Sequence, residues 1–413
     1  MELPRLFAMD YSEILSSIKP TAKEHEKVMK AVQSVMKKLK MKNPKPLLGG
    51  SIAKGTWLKG NNDIDIYVRF SSSNNNISEQ LQNSLKNFKG VKKVHGSRDY
   101  FQLKENGFLV ELIPILEIQS PKDAENITDV SPFHVEWVTK SMLKNLQLQD
   151  QVRLAKSFLD TAGVYGAESY IHGFSGYSTE ILVIHYNGFE KFIKAAAKWK
   201  GKMIIDPLKQ YKDNPLVHLN PAKTSGKLVL IDPVQKDRNA ASSVSEESYD
   251  KFVGAAKKFV MRQSLSFFHK QKANASKLKK AGNFVIMLKP LKGSDDVIGT
   301  KLYKCHLYML NLLKLEGFGV KENGFEFDGK KAVLWYKPLN RKLPDKMRHS
   351  GPPEVVKHAL LNFIKKWGTK NVKYEKGRSY VMVKRKFTVP RKFLLSSLNS
   401  AYVKERSVSR KLL

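Results

Sequence analysis

The clearest periodic pattern of the chain lies near its N-terminus. Thr21 and Glu24 have the spacing of a capping box, in which each residue bonds the backbone N–H of the other. Behind them, apolar residues recur at helical spacing: Val28, Val32, Val35 and Leu39. This pattern predicts an amphipathic helix over residues 22–40, which stops before Asn43-Pro44.

Strand patterns follow this helix. Polar and apolar residues alternate over Asp63–Phe70, which predicts a strand. Residues 91–104 and 107–118 predict two more strands, joined by the turn signal Asn106-Gly107. The polar stretch Ser71–Asn76 predicts a loop. The first part of the chain therefore predicts a mixed α/β domain around a small sheet.

Helical patterns dominate the middle of the chain. They cover residues 132–162, 179–199 with an interruption at Asn187-Gly188, and 246–260, while residues 203–240 are rich in turn signals. Past residue 280 strands and helices alternate: a strand at 284–288, a helix at 302–315, hairpin signals through Trp335, a break at Ser350-Gly351-Pro352-Pro353, a helix to Trp367 and a strand at 380–387.

Length and charge add a partner to this picture. A chain of 413 residues exceeds what one hydrophobic core usually supports, which predicts several domains. The formal net charge of +35 is uneven: residues 1–250 carry 35 Lys and Arg against 28 Asp and Glu, and residues 251–413 carry 38 against 10. Nucleic acid is the first candidate for a partner of such a basic surface, and a solvated charged face or an anionic membrane surface are the alternatives.

Other classes of protein are disfavoured by what the sequence lacks. Cys305 is the sole cysteine, and its apolar neighbours indicate a reduced structural thiol rather than a nucleophile. Residues 1–10 lack the pattern of a secretory signal, and no apolar run approaches the length that spans a bilayer. We therefore expect a soluble, cytoplasmic protein without a membrane partner.

The residues that suggest chemistry begin with a glycine-rich turn. Gly49-Gly50-Ser51 is followed by Asp63-Ile64-Asp65 in the first predicted strand. Side chains two residues apart on a strand share a face, so Asp63 and Asp65 should lie together, where a cation offsets their repulsion. Their hard oxygen ligands suit magnesium. The Gly-Ser turn offers backbone N–H groups and a hydroxyl to phosphates.

A third carboxylate lies in another predicted strand. Glu111 is surrounded by apolar residues, where an unpaired charge is costly unless it is neutralised or bound to a metal. Three carboxylates from neighbouring strands could hold two metal ions, one at the attacking hydroxyl and one at the leaving pyrophosphate. Each motif taken alone has an ordinary structural explanation: a common strand pattern, a helix cap or an edge residue.

Together these motifs resemble the signature of polymerase-beta-like nucleotidyltransferases. Later segments resemble archaeal-type (class I) tRNA CCA-adding enzymes over roughly residues 45–270. They are Ser131-Pro132-Phe133-His134, Gly163-Val164-Tyr165-Gly166-Ala167-Glu168, Gly173-Phe174-Ser175-Gly176-Tyr177, Asp232-Pro233-Val234 and Arg238-Asn239-Ala240-Ala241. The Ser350–Pro353 segment resembles the C-terminal region of that family more weakly.

The resemblance implies an α+β multidomain fold with a polymerase-beta-like head, a helical neck and an α/β body and tail. It places the catalytic head at residues 1–140 and the neck, which recognises the nucleotide base, at 141–262. The body, which binds the acceptor stem of tRNA, is expected at 263–300 and 375–413, and the tail, which binds the outer corner of tRNA, at 301–374. This arrangement agrees with the charge asymmetry.

The resemblance also implies roles for particular residues. Asp63, Asp65 and Glu111 would be the catalytic, metal-binding acids for two Mg²⁺ ions, and Gly50, Ser51 and Lys54 would contact the triphosphate. The rest of the nucleotide pocket would be His134, Lys156, Tyr165 and, at the base edge of CTP or ATP, Arg238. Family members often have Arg at the position of Lys54, Asp at that of Glu111 and Thr at that of Ser131, so rate and affinity are in question more than activity.

The expected function is template-independent addition of C, C and A to the 3′ end of tRNA from CTP and ATP, with release of pyrophosphate. The expected partners are tRNA lacking all or part of its 3′ CCA, and the two nucleotides; the oligomeric state stays open, and a homodimer is possible. Two alternatives remain. One is another RNA 3′-terminal transferase that adds only A or only C, and the other is a non-catalytic basic RNA-binding protein.

Overall fold

The computed structural model describes residues 9–39, 45–61, 63–71 and 76–413. Contacts within the chain divide it into two units, residues 1–271 and 272–413. Over the described residues, none of the helices combines the length and apolar character needed to cross a bilayer.

The first unit begins with a five-stranded sheet packed against helices. The strands lie in the order β1-β2-β5-β4-β3, with β2 and β5 parallel and the other neighbours antiparallel. One face of α2 buries Val28, Val32 and Val35 against this sheet. Its elements are α1 (Ser12–Ile18), α2 (Ala22–Lys38), β1 (Lys45–Leu48), α3 (Gly50–Ala53), β2 (Asp63–Phe70), α4 (Ile77–Ser84), β3 (Lys92–Val94), β4 (Tyr100–Glu105) and β5 (Phe108–Leu116).

Local sequence signals predicted much of this sheet domain. The capping box is confirmed: the Glu24 backbone N–H donates to Thr21 Oγ1 over 3.2 Å, and the Thr21 N–H donates to Glu24 Oε2 over 2.7 Å. Helix α2 ends at Lys38, and residue 40 of the prediction lies outside the described residues. Strand β2 has the predicted bounds. Of the predicted loop Ser71–Asn76, residues 72–75 are also outside the described ranges.

The single strand predicted at residues 91–104 is wrong. The segment forms two antiparallel strands, β3 and β4, around a turn. The Asp99 carboxylate closes this turn, since it accepts from Lys93 and lies 2.8 Å from His95 Nδ1. A side-chain hydrogen-bond network of this kind reverses the chain where β-propensity alone would extend it.

The rest of the first unit is mainly helical and surrounds a core rich in phenylalanine. It consists of α5 (Ser131–Leu143), α6 (Gln147–Thr161), α7 (Gly176–His185), α8 (Phe189–Ala196), β6 (Met203–Ile205), β7 (Leu228–Leu230) and α9 (Glu246–Met261). The helix predicted over 132–162 is in fact two, α5 and α6, with a break at residues 144–146. The predicted interruption at Asn187-Gly188 is confirmed, since both residues have positive φ.

The second unit contains two antiparallel sheets. The four-stranded sheet has the order β14-β8-β10-β9, and α11 packs Leu302, Cys305 and Met309 onto it. The three-stranded sheet has the order β11-β13-β12. The elements are α10 (Ala275–Lys280), β8 (Phe284–Lys289), α11 (Asp295–Leu315), β9 (Glu322–Phe327), β10 (Ala332–Lys337), β11 (Lys346–Pro353), α12 (Lys357–Trp367), β12 (Lys373–Glu375), β13 (Arg378–Lys384), α13 (Pro390–Leu398), α14 (Ala401–Lys404) and β14 (Ser409–Leu412).

Two sequence interpretations of the second unit need correction. Helix α11 begins at Asp295, seven residues before the predicted start at Leu302, with Asp295 and Asp296 in its first turn, where acidic residues favour a helix. Ser350–Pro353, interpreted as a break between elements, lies in β11, and the pairing register shifts within it because proline cannot donate to a ladder. The proposed body–tail boundary at residue 301 falls inside α11, and the domain division stays a prediction.

Candidate active site

Two neighbouring strands bring the predicted acids together. Strands β2 and β5 are parallel, and their register pairs Asp65 with Glu111. Asp63 lies two residues before Asp65 on β2 and therefore shares its face. Ile64 and Ile66 point the other way and are fully buried, so the alternation of the sequence fixes which face carries the carboxylates.

The electrostatics of these acids favour a cation. Burial raises the pKa of the Asp65 carboxyl; the Lys54 charge opposes this effect and the Asp63 charge adds to it. Burial also raises the pKa of Glu111, against a 2.7 Å hydrogen bond from Gln102 Nε2, and the charges of Asp65 and Asp63 raise it further. Negative charge is thus concentrated at partly buried oxygens, the hard ligands that suit Mg²⁺.

The acids do not form a finished ligand set. Within the described ranges, no three side chains of His, Cys, Asp or Glu already converge closely enough to hold a metal ion. The Glu111 carboxylate instead accepts a hydrogen bond from Gln102, and carboxylates without a cation between them repel each other. The donor chemistry fits a divalent cation, and Asp63, Asp65 and Glu111 are the residues that would hold it.

The glycine turn lies directly against the Asp65 carboxylate. The Gly49 N–H donates to the Asp65 carbonyl oxygen over 2.8 Å. Gly50 has a φ of +61°, and a Cβ added there would lie 1.7 Å from Asp65 Oδ2. Both the backbone conformation and the close approach require glycine. Ser51 follows at the start of α3, so the predicted phosphate-binding turn adjoins the acids.

Lys54 and Lys156 meet at a buried carboxylate that the sequence did not identify. Glu180 Oε2 lies 2.6 Å from Lys54 Nζ, and Glu180 Oε1 lies 3.2 Å from Lys156 Nζ. Thr56 Oγ1 donates to Glu180 Oε1 over 2.6 Å. Glu180 is 0% exposed, Lys156 2% and Lys54 9%. We call these four residues the Glu180 cluster.

One face of α6 holds the turn that carries Lys54 and Thr56. Gln149, Arg153 and Lys156 are spaced at helical intervals of four and three residues. Gln149 Nε2 lies 3.5 Å from the carbonyl oxygen of residue 54, and Arg153 donates to those of residues 55 and 57 over 2.5 and 3.0 Å. Lys156 donates to that of residue 56 over 3.1 Å. Four consecutive carbonyls of the turn thus contact polar side chains of a single helix.

Arg238 and His134 meet at a second buried carboxylate, Asp232. Arg238 Nη1 donates to Asp232 Oδ2 over 2.5 Å, and His134 Nε2 lies 3.3 Å from the same oxygen. The Tyr177 hydroxyl donates to Asp232 Oδ1 over 2.8 Å. Burial would raise the pKa of Asp232, but hydrogen bonding and charge from His134, the Arg238 charge and the Val234 N–H together lower it to about 2. We call Asp232 with Arg238, His134 and Tyr177 the Asp232 cluster.

Tyr177 links the two clusters. Its ring stacks on His134 with a centroid distance of 4.2 Å. Lys54 Nζ lies 5.8 Å and the Arg238 guanidinium 5.9 Å from the same ring. At the neighbouring Gly176, an added Cβ would lie 3.4 Å from the Tyr165 hydroxyl and 3.8 Å from Lys156 Nζ. The residues predicted to line the nucleotide pocket are therefore contiguous.

Sequence reasoning missed the two carboxylates that organise this pocket. Glu180 is the sole charged residue of α7 before its C-terminal His185, and this isolation in an apolar helix was the available signal. Asp232 lies in the Asp232-Pro233-Val234 segment that resembles the family, but the sequence alone assigned it no role. Burial and pairing depend on contacts between segments far apart in sequence, which local patterns do not encode.

The chain resembles known families along most of its length. Residues 28–134 match the family described as "Nucleotidyltransferase domain", residues 150–269 match "tRNA nucleotidyltransferase, second domain" and residues 283–411 match "CCA-adding enzyme, C-terminal domain". A protein named CCA-adding enzyme from Nanoarchaeum equitans is 35% identical, over 90% of this chain and 92% of that protein. One of the same name from Sulfurisphaera tokodaii is 30% identical, over 91% and 89% of the two chains.

Solved structures support the fold over about two thirds of the chain. The Cid1 poly(U) polymerase with MgGTP bound aligns with a TM-score of 0.52 at 15% identity, and covers 63% of this chain and 97% of its own. A cytoplasmic RNA terminal U-transferase aligns with a TM-score of 0.50 at 16% identity and the same coverage. At such identities the likeness concerns the fold alone.

Proposed function

This chain belongs to the archaeal family of CCA-adding enzymes, and we propose that it adds C, C and A to the 3′ end of tRNA from CTP and ATP with release of pyrophosphate. One observation carries the proposal: the β2–β5 register that sets Asp65 beside Glu111, with Asp63 on the same face and the Gly50–Ser51 turn against Asp65. In this arrangement, carboxylates that can hold a metal lie beside hydrogen-bond donors that can bind phosphate, so a nucleoside triphosphate can react there with a hydroxyl.

We assign the catalytic, metal-binding role to Asp63, Asp65 and Glu111. Divalent cations bound there, in the expected case two Mg²⁺ ions, would lower the pKa of the attacking 3′-hydroxyl and offset charge on the leaving pyrophosphate. The raised pKa values of Asp65 and Glu111 support this assignment, because a bound cation would offset both the burial and the mutual repulsion that raise them. Gln102 orients Glu111 from the adjacent strand through its 2.7 Å hydrogen bond.

The rest of the pocket divides into a phosphate side and a base side. The Gly50–Ser51 turn, Lys54, Lys156 and Tyr165 lie on the phosphate side, close to the acids. His134 and Arg238 lie on the base side, where Asp232 accepts one N–H of the Arg238 guanidinium and leaves other donors for a base edge. CTP and ATP both present a ring nitrogen beside an amino group, which such a donor can recognise.

The second unit carries the charge for binding tRNA. Residues 272–413 contain 33 Lys and Arg against 10 Asp and Glu, a net charge of +23. Such an excess of positive charge favours binding to a polyanion. We assign recognition of the acceptor stem and the outer corner of tRNA to the predicted body and tail within this part of the chain, and catalysis and base recognition to the head and neck.

The decisive experiment uses tRNAs that lack CCA, CA or only the final A. Purified protein with Mg²⁺ should add C, C and A to the first tRNA, C and A to the second and A to the third. Each C should come from CTP and each A from ATP, with the nucleotides supplied singly or as a mixture. A protein that adds only A or only C would be a different terminal transferase. A protein that binds these tRNAs without metal-dependent incorporation would be a basic RNA-binding protein.

A further inference from the structure

The Glu180 cluster holds more positive than negative charge away from solvent. Lys54 and Lys156 bring two ammonium groups to one carboxylate that is 0% exposed. The nearby Arg153 is already paired with Asp150 over 2.5 Å, so it does not change the balance. Asp65 exerts its charge on Lys54 from the side of the candidate metal site. Counted without Asp65, the cluster therefore has two positive charges against one negative charge, an excess that a bound anion would offset.

Helix α7 places this charge at a defined distance from the base side of the pocket. Tyr177 and Glu180 are three residues apart and lie on the same face of α7. Tyr177 donates to Asp232, which holds Arg238, and Glu180 holds the two lysines. A single rigid turn of helix thus connects the groups assigned to the base with the groups assigned to the phosphates.

We propose that Glu180 is a positioning residue for the triphosphate of the incoming nucleotide: it fixes the ammonium groups of Lys54 and Lys156 and leaves one positive charge for the phosphates. The inference rests on the proposed function and deepens it. Glu180 does not touch the substrate in this scheme. It acts by restricting two flexible lysine side chains. The three N–H donors of Lys156 go to the Thr56 carbonyl oxygen, Thr56 Oγ1 and Glu180 Oε1, so Lys156 contributes its charge. Lys54 donates to Glu180 Oε2 and keeps N–H donors for the phosphates.

From charge alone, removal of the Glu180 carboxylate should strengthen phosphate binding. Two features of the site oppose this expectation. Burial lowers the pKa of Lys156, and the Glu180 charge and hydrogen bond work against this effect, so loss of the carboxylate favours a neutral lysine. Each lysine also loses the charge-assisted hydrogen bond that orients it. The site then keeps a similar net charge but loses the ordered arrangement of donors.

The test measures binding of inorganic tripolyphosphate to the full chain by calorimetry, without tRNA. Tripolyphosphate has no base, so it reports on the phosphate side alone. Glu180→Gln keeps the size of the side chain and removes its charge, and we expect its affinity to fall by about tenfold or more. The matched control is Glu247→Gln, the same substitution at a carboxylate of α9 that bonds Lys251 and touches neither lysine of the cluster, and we expect its affinity to match the wild type.

Kinetics provide a second readout that a merely structural role would not change. In Glu180→Gln, KM for CTP and for ATP should rise by the same factor, because the triphosphate is common to both, while kcat changes less. Discrimination against UTP and GTP should stay as in the wild type. Glu180→Asp retains the buried charge and hence the fold, but its shorter side chain cannot reach both lysines, so it should also bind tripolyphosphate several-fold more weakly.

The outcomes separate this inference from the proposed function. Unchanged or tighter tripolyphosphate binding in both folded variants would overturn the role of Glu180, even if the wild type completes CCA on tRNA. A wild type that fails to extend any tRNA would overturn the function, whatever the variants bind. Weaker binding in both variants, with Glu247→Gln unaffected, supports the positioning role.

Discussion

At the scale of single residues, the candidate active site is built from groups that destabilise the protein in the absence of a cation. Asp65 and Glu111 are paired by the strand register, and burial and neighbouring charges raise the pKa of both. Such clusters persist in folded proteins when they serve binding or catalysis, and their removal commonly stabilises the chain. Stability and activity should therefore respond in opposite directions to substitution of these acids.

We expect Asp65→Asn to raise the free energy of unfolding of the metal-free protein by about 1 kcal/mol at neutral pH, and to lower incorporation of both CTP and ATP by on the order of 100-fold or more. A raised pKa means that the folded wild type holds the Asp65 proton more tightly than the unfolded chain does. The wild type therefore matches the variant in stability at low pH and loses stability as the pH rises through the raised pKa. Urea unfolding at several pH values measures the difference, which should vanish below about pH 4.

Asp63→Ala should cause the same loss of incorporation, while both variants keep wild-type tRNA affinity because the metal site serves the chemistry and the basic second unit serves binding. Near-normal incorporation by either variant would show that the candidate site is wrong.

Base selection is a second property of individual residues. Arg238 is 33% exposed, and Asp232 fixes one end of its guanidinium. We expect Arg238→Ala to impair CTP and ATP addition together and to narrow their advantage over UTP and GTP, because a donor that a bound base covers and that then faces another donor costs about 1–3 kcal/mol. Single-nucleotide kinetics with all four triphosphates measure the effect. If Arg238→Ala discriminates among the four nucleotides as the wild type does, base selection lies elsewhere.

At the scale of elements, α6 holds the turn that we assign to the phosphate side of the pocket. Its stripe of Gln149, Arg153 and Lys156 contacts four successive carbonyls of the turn at residues 54–57. Loss of Arg153 would leave two of these acceptors, those of residues 55 and 57, without this partner. Buried acceptors without partners are costly, so the stripe should contribute to the stability of the whole first unit as well as to the site.

We expect Arg153→Met, which keeps an aliphatic side chain, to lower the free energy of unfolding by about 2–6 kcal/mol, on the basis of about 1–3 kcal/mol for each of the two unpaired acceptors. KM for both nucleotides should rise, because the turn that carries Lys54 is released. The exposed pair Lys251–Glu247 on α9 offers a control, since Lys251→Met removes a solvated ion pair and should change stability little. Equal stabilities of the two variants would contradict the role of the stripe.

Elements also show what the sequence could and could not predict. The Thr21–Glu24 capping box and the alternation of Asp63–Phe70 are local signals, and both are confirmed. The prediction of a single strand over residues 91–104 was wrong because Asp99 closes a turn through side-chain hydrogen bonds, which β-propensity does not include. Asp63, Asp65 and Glu111 were identifiable because they lie on strands whose pattern is visible. Glu180 and Asp232 were missed as site residues because their burial depends on distant segments.

At the scale of the whole molecule, positive charge is concentrated in the second unit, and we expect this charge to govern binding to tRNA. The second unit carries a net charge of +23, and residues 1–271 carry 40 Lys and Arg against 28 Asp and Glu, a net charge of +12. Neutralised phosphates release counterions, so affinity depends on salt in proportion to the number of phosphate contacts.

We expect the affinity for tRNA to fall by on the order of 10³-fold between 50 and 200 mM salt, as for a protein that contacts several phosphates. A chain ending at Gln271, verified as folded by circular dichroism, should lose most of this slope. Filter binding over a salt series measures both. Equal affinity of the full chain at the two salt concentrations would refute the electrostatic argument.

The core of the second unit also makes the protein convenient to label. Cys305 is the sole cysteine of the chain, it is fully buried against the four-stranded sheet, and burial raises the pKa of its thiol to about 11. Maleimide reagents react with accessible thiolates, so the wild type should give almost no background. Cysteines introduced at one exposed position of each unit could then carry a fluorophore pair while Cys305 stays in place, and energy transfer would report the distance between the units in solution as tRNA binds.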